Sequence, residues 1–345
     1  MKKLFLVLMA TISLSSCSQK KEQQLLNHKQ EKPMDDISKY IFPEARDVTE
    51  ANFVEKISSQ IKHYDKEPLY YFRINKENCL VRAYLNNVNI YDDYELSNVI
   101  TPTEISNILK SGPQKVTVKM YPVGDLINKD LGLENEPPVT KLSDKAKVDI
   151  SVVMMDHKSK KGFDDEKIIT TQVNPKGAAG KGVYEFSFTF NAEVPYEFEG
   201  WTKGQDLRKL DQALVQKKAL EFYDMVGRLY LNKDLNSLIK LDYVSNVRTM
   251  ASSYVDKSYV SEFLEEYKND VEKYEYKMEA IKDFDIEFMG DGKLVRLINR
   301  SQRPKLRGGS ALLLTYGSNS TFAPELTLYL PEGRDLATQG FMMWK

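Results

Sequence analysis

The chain has 345 residues, 41% hydrophobic and 29% charged, which at about 150 residues per domain is enough for two domains and too apolar for global disorder. Its 49 Lys and Arg against 50 Asp and Glu leave a net charge of -1, which argues against a general nucleic-acid binder, since that needs a basic surplus. Two cysteines and three histidines exclude a disulfide scaffold, argue against a Cys/His zinc site, and give no reason to expect a cofactor.

Lys2 and Lys3 precede an apolar run from Leu4 to Ile12, too short to span a bilayer as a mature helix. Leu14, Ser15, Ser16 and Cys17 follow. This segment resembles the lipobox signal peptide of bacterial lipoproteins. The resemblance covers only the first twenty or so residues. It implies cleavage before Cys17, acyl chains on the Cys17 thiol and new amino group, and a bilayer as the first partner. Each buried methylene contributes about 0.8 kcal/mol, so two or more chains hold stably without a transmembrane helix. No later segment reaches 18 apolar residues. Loss of residues 1–16 removes two lysines and leaves 47 basic against 50 acidic residues. Cys79 is then the remaining thiol, expected as a small buried hydrophobe. Ser18 to Asp35 is polar and charged, a tether with a reach of about 20–25 Å. Lipoproteins with Asp directly after the cysteine tend to stay in the inner membrane. Ser18 stands there, which by analogy favours the outer membrane and leaves open which side the body faces.

The body starts with a helix. Asp47 and Glu50 are spaced like a capping box, and Phe53, Ile57 and Ile61 mark one face before Pro68. From Leu69 to Phe198 the period is two. Val116, Val118 and Met120 alternate with Lys115, Thr117 and Lys119; Val148, Ile150, Val152 and Met154 with Lys147, Asp149 and Ser151; and Tyr184, Phe186, Phe188 and Phe190 with Glu185, Ser187 and Thr189. Each reads as a strand with one buried and one wet face. Asn86-Asn87 is a two-residue hairpin turn, because Asn tolerates positive φ. About seven antiparallel strands give a β-sandwich over 36–200. Tyr84 to Tyr91, then Leu109-Lys110-Ser111-Gly112 leading into Val116–Lys119, resembles sugar-binding jelly-roll modules over about 40 residues. Pro113 and Gln114 stand where those modules carry Asn, so the resemblance guides the fold and not the ligand.

Trp201 to Gln205 is a change point. Leu207, Leu210, Leu214, Phe222, Met225, Val226 and Leu229 mark a long one-sided helix, broken at Asn232-Lys233-Asp234, with Asp234 capping the next. A further helix runs through Tyr259, Phe263, Tyr267, Val271 and Tyr274. Strands return at Phe284–Phe288, turn at Gly290-Asp291-Gly292 into Leu294–Ile298, and recur at Ala311–Tyr316, Leu326–Leu330 and Phe341–Trp344. Helices first and an antiparallel sheet after give an α+β domain over 201–345. Helices on a curved sheet would resemble the NTF2-like cone, from which three helices ahead of the first strand depart.

Catalytic motifs are missing. Gly177 to Gly182 has the wrong glycine spacing for a phosphate loop and lacks its Ser or Thr, so it reads as a hairpin loop. His28 lies in the tether, and His63 and His157 are far apart. Asp283, Asp285 and Glu287 share one strand face, but residues two apart lie about 6.5–7 Å from one another, too far for one ion; a solvated face is expected. Arg296, Arg300, Arg303, Lys305 and Arg307 form the most basic stretch, a site for an acidic partner. Tyr91, Tyr94 and Trp201, near loops, form a second group, an aromatic binding rim. The reading that needs no unseen residue is a non-catalytic, membrane-anchored interaction lipoprotein of the envelope with a protein or glycan partner and no nucleic acid. A glycan-binding lipoprotein and an enzyme with its site in the 201–345 domain are the alternatives.

Overall fold

The computed structural model describes residues 36–98, 100, 102–132 and 136–345; Cys17, the signal segment and the tether lie outside them. Short 3-10 turns at 37–45 lead into helix α1 (Glu50–Ser58). Its cap differs from the expected Asp47–Glu50 pair. Thr49 is the N-cap, its amide donating to Asn52 Oδ1 at 2.8 Å, while Asp47 pairs with Lys56 at 2.8 Å.

Eight strands follow: β1 (Pro68–Glu77), β2 (Leu80–Leu85), β3 (Val88–Asp93), β4 (Thr103–Glu104), β5 (Gly112–Tyr121), then after helix α2 (Leu126–Leu131) β6 (Lys147–Asp156), β7 (Lys167–Val173) and β8 (Tyr184–Ala192). They form two antiparallel sheets, β4-β1-β6-β7 and β3-β2-β5-β8. Phe72, Ile74 and Ile150 of one and Ala83, Val118 and Phe186 of the other share one core, making a β-sandwich. The hairpin Asn86-Asn87 has φ of 50° and 64°, as its turn requires. Gly177–Gly182 does not close a hairpin, because β7 and β8 belong to different sheets and the loop crosses between them. Cys79 is buried, and burial pushes its thiol up to about 11, which keeps it protonated.

Three helices come next: α3 (Gln212–Leu231), α4 (Leu235–Ser252) and α5 (Lys257–Glu272). Each begins at an aspartate whose carboxylate accepts backbone amides: Asp211 from Ala213, Asp234 from Ser237, Asp256 from Tyr259. Such caps contribute about 1 kcal/mol each. The strands after them form two small antiparallel sheets where one was expected. The first has β10 (Phe284–Met289), β11 (Leu294–Asn299), β14 (Leu328–Tyr329) and β15 (Met342–Met343); the second has β9 (Lys277–Met278), β12 (Leu314–Tyr316) and β13 (Ser320–Phe322). Helix α6 (Leu336–Gln339) precedes the last strand. None of the described helices is long and apolar enough to cross a membrane.

Residues Ile37–Lys345 form one unit with two main cores. Residues 37–61 precede the sandwich in the chain but pack with the helices: Phe53 and Ile57 join Phe222, Leu238 and Val260. The sandwich core in turn takes in Met289, Leu294, Tyr329 and Trp344 from the last sheet. A third cluster, Leu69, Tyr196 and Tyr254 with Tyr64 and Phe198, sits where the chain passes into the sandwich and out again.

In the helical core, half-buried Asp242 on α4 accepts a hydrogen bond from the Tyr267 hydroxyl on α5. Burial raises its carboxyl to about 6, against a partial offset from Tyr267. A raised carboxyl is favoured in its neutral form in the fold, so this contribution is present below about pH 4 and fades as pH rises through 6. Asp242→Asn is expected to gain about 1 kcal/mol at pH 7, after allowing for partial solvation, and nothing at pH 4. Urea titrations at the two pH values check the difference.

Candidate functional site

The last sheet meets the sandwich along β2 and β3. All six residues of β2 are buried, although one face of the strand carries Arg82 and Tyr84. That outer face is covered by β10. Arg82 donates to Asp92 at 2.6 Å and to Glu287 at 3.0 Å. Arg296 on β11 donates to Glu287 at 2.8 Å and lies 3.3 Å from Asp92. The Tyr84 hydroxyl donates to Glu287 at 3.1 Å, and Asn89 bridges Asp92 and Arg296 at 2.8 Å each. Two guanidinia and two carboxylates thus neutralise one another. Burial alone would raise the Glu287 carboxyl; Arg296 and Arg82 outweigh it and hold the group below the usual carboxylate range. Two expectations are corrected here. Glu287 is not on a solvated face, because β2 covers it, and Arg296 is not free for an outside anion, because two carboxylates already claim it. Asp283 and Asp285 do stay exposed.

Beside this network β11 splits its allegiance. Leu294 and Val295 pair with Tyr329 and Leu328 of β14. Beyond them, Leu297 and Asn299 bond instead to the chain at 308–311, through Ala311, Gly308 and Gly309. The same register would have placed Leu297 opposite Leu326. There the fully buried Tyr223 of α3 intervenes: its hydroxyl accepts from the Leu297 amide at 2.9 Å and donates to the Leu326 carbonyl at 2.6 Å. The strands part around that hydroxyl, beside a cavity of about 620 Å³ whose lining includes Tyr223, Arg296 and Leu297.

The walls of this cavity bring together much of both sequence-predicted groups. Tyr91 and Tyr94, at the end of β3, line it half-buried. The Tyr91 hydroxyl donates to Asp93 at 3.1 Å. Burial pushes the Tyr94 hydroxyl up to about 12. Lys305 and Arg307 stand exposed on the facing loop, the Arg307 guanidinium 4.9 Å from the Tyr94 ring centroid. Gly308, at φ of 77°, makes that approach possible, since a Cβ there would lie 2.6 Å from Tyr94 Cε2. Neither Lys305 nor Arg307 has a carboxylate partner among the described residues, whereas Lys345 on the opposite wall is paired with Glu325 at 2.5 Å.

The remaining predicted residues fall elsewhere. Arg300 is exposed and 3.6 Å from Asp285. Arg303 is exposed, and its carbonyl closes the turn by accepting from the amides of Leu306 and Arg307. Trp201 is not on this rim: it packs edge-on against Trp344, ring centroids 5.5 Å apart, in a second cavity of about 370 Å³ that shares Asn107, Ile108 and Trp344 with the first. That second cavity also contains Arg248 of α4, which the sequence reading did not single out.

His63 Nδ1 is 3.0 Å from the buried Glu67 carboxylate, and the His157 ring lies against Tyr254. Among the described residues neither ring is hydrogen-bonded to a serine or cysteine, and no three His, Cys, Asp or Glu side chains converge as metal ligands.

No protein-family model matches the chain, no curated protein matches it, and no solved structure matches it.

Proposed function

We propose that the protein is a lipid-anchored interaction protein of the bacterial cell envelope, held to the outer membrane through acylated Cys17. Its cavity between β3 and the 304–310 loop receives the acidic face of a partner protein. One observation carries this reading: Lys305 and Arg307 are exposed cations with no carboxylate partner among the described residues, set beside half-buried tyrosines, where Arg296 is already matched by Asp92 and Glu287. Unpaired cations at a rim attract an opposite charge and steer its approach. The half-buried rings supply contact area at low entropic cost.

Affinity capture from envelope extract tests the site. The full chain should retain a partner protein that the Lys305→Glu, Arg307→Glu double variant retains at least about tenfold less, with the difference shrinking in high salt. Equal capture by both forms would remove the cavity from the proposal, and retention on polysaccharide instead of protein would make it a glycan site. The anchor is tested separately, by incorporation of labelled palmitate into the wild type and its loss in Cys17→Ser.

A further inference from the structure

Buried arginines in this protein have carboxylates to match. Arg82 and Arg296 share Asp92 and Glu287, and partly buried Arg73 lies 2.5 Å from Glu166. Two others lack one among the described residues: half-buried Arg334, which donates to the backbone carbonyls of Gly340, Gln339 and Lys39, and, far more deeply buried, Arg248. It is 6% exposed, and among the described residues no carboxylate lies within ion-pairing distance. Its Nη2 donates to the Trp344 carbonyl at 2.7 Å and reaches Ser245 Oγ at 3.4 Å. Among the described residues its buried Nε has no acceptor, nor has Nε1 of Trp344, whose ring lies 4.2 Å from the guanidinium. Burial alone pushes the Arg248 guanidinium down to about 10, with no neighbouring charge to offset it. A buried cation without an anion is costly, and so is a buried N–H without an acceptor.

Arg248 and Trp344 line two adjoining cavities, of about 820 and 370 Å³. The smaller has apolar walls from Ile108, Leu109, Phe198, Trp201 and Trp344. Its other charged residues are Lys110, Glu199 and Asp291, so with Arg248 included the charges balance. Against a lining that is neutral overall, the one buried cation without a carboxylate matches a single negative charge, and the second charge of a dianion such as phosphate would have no counterpart. The volume lies at the small end of the range for ligand pockets.

We propose that this cavity binds a small organic acid, its carboxylate completing Arg248 and the Trp344 N–H, its apolar body against Trp201 and Leu109. This site shares Asn107, Ile108 and Trp344 with the wall of the Lys305–Arg307 cavity but uses neither of those two cations.

Trp201 and Trp344 are the two tryptophans of the chain, and both border this cavity. Tryptophan fluorescence therefore reports on it directly. The full chain in lipid nanodiscs is titrated with 3-phenylpropanoate, with its neutral amide and with inorganic phosphate. The acid is expected to give a saturable change, the amide to bind at least about tenfold more weakly, and phosphate to give none. Arg248→Met keeps an apolar chain against Trp344 and removes the charge. It should lower affinity for the acid at least about tenfold while leaving the melting temperature equal or higher. Lys305→Glu with Arg307→Glu should leave the titration unchanged. Equal binding of acid and amide, no saturable change with the acid, or unaltered acid binding by Arg248→Met would overturn the proposal. Should the Met variant fail to fold, the acid–amide comparison on the wild type still decides.

Discussion

Glu287→Ala is expected to lose about 3–5 kcal/mol of stability, because it leaves two buried guanidinia facing one aspartate. Urea unfolding followed by circular dichroism measures it. Glu287→Leu combined with Arg82→Met should cost less than Glu287→Ala alone, since it leaves Arg296 and Asp92 as a balanced pair. The acid limb gives an independent check. The Glu287 carboxyl is held below its ordinary value, so its contribution is complete above about pH 4.5 and is lost as pH falls through the depressed value. Glu287→Gln should flatten that limb. A double variant as unstable as the single one would show that the four charges do not act as a unit.

Tyr223→Phe comes second, at roughly 2–4 kcal/mol, although it removes one oxygen atom. The Leu297 amide and the Leu326 carbonyl would both be left buried without a partner, at about 1–3 kcal/mol each. Faster amide hydrogen exchange at Leu297 should accompany the loss. A cost under about 0.5 kcal/mol would mean that the two strands close and pair directly, in which case the cavity at Tyr91 and Tyr94 should shrink and partner capture fall with it.

The sandwich was legible because alternation carries its physics. Val116, Val118, Val148 and Ile150 are buried as their period requires, and Asn86-Asn87 takes the backbone that its hairpin demands. Asp234 caps α4 as its place after the helix break suggests. Alternation assigns a residue to a face without saying what lies over that face. Glu287 is on the outer face of its strand and is nonetheless covered, by a strand about 200 residues earlier. The basic stretch shows the same limit. Arg296 and Arg307 are equivalent in composition, and only the fold gives the first two carboxylates and the second, among the described residues, none. Trp201 marks a junction, as its change of pattern implies, but its neighbour Trp344 comes from the far end of the chain. Arg248 carries no sequence signal at all, since an arginine on a helix is ordinarily wet and nothing local marks this one as enclosed.

The order in which the chain is made has a consequence for α1. Its partners α3, α4 and α5 begin about 150 residues after it ends. A chain delivered N-terminus first presents Phe53 and Ile57 before anything arrives to cover them. In that interval the whole sandwich emerges, with short-range hairpins that can close at once. In the finished fold Tyr64, ahead of the sandwich, and Phe198, after it, pack in one cluster with Tyr254, just past α4, so the entry and exit of the sandwich lie beside the helices that α1 waits for. The β-rich insertion thus sets the timetable for the helical core that surrounds its two ends.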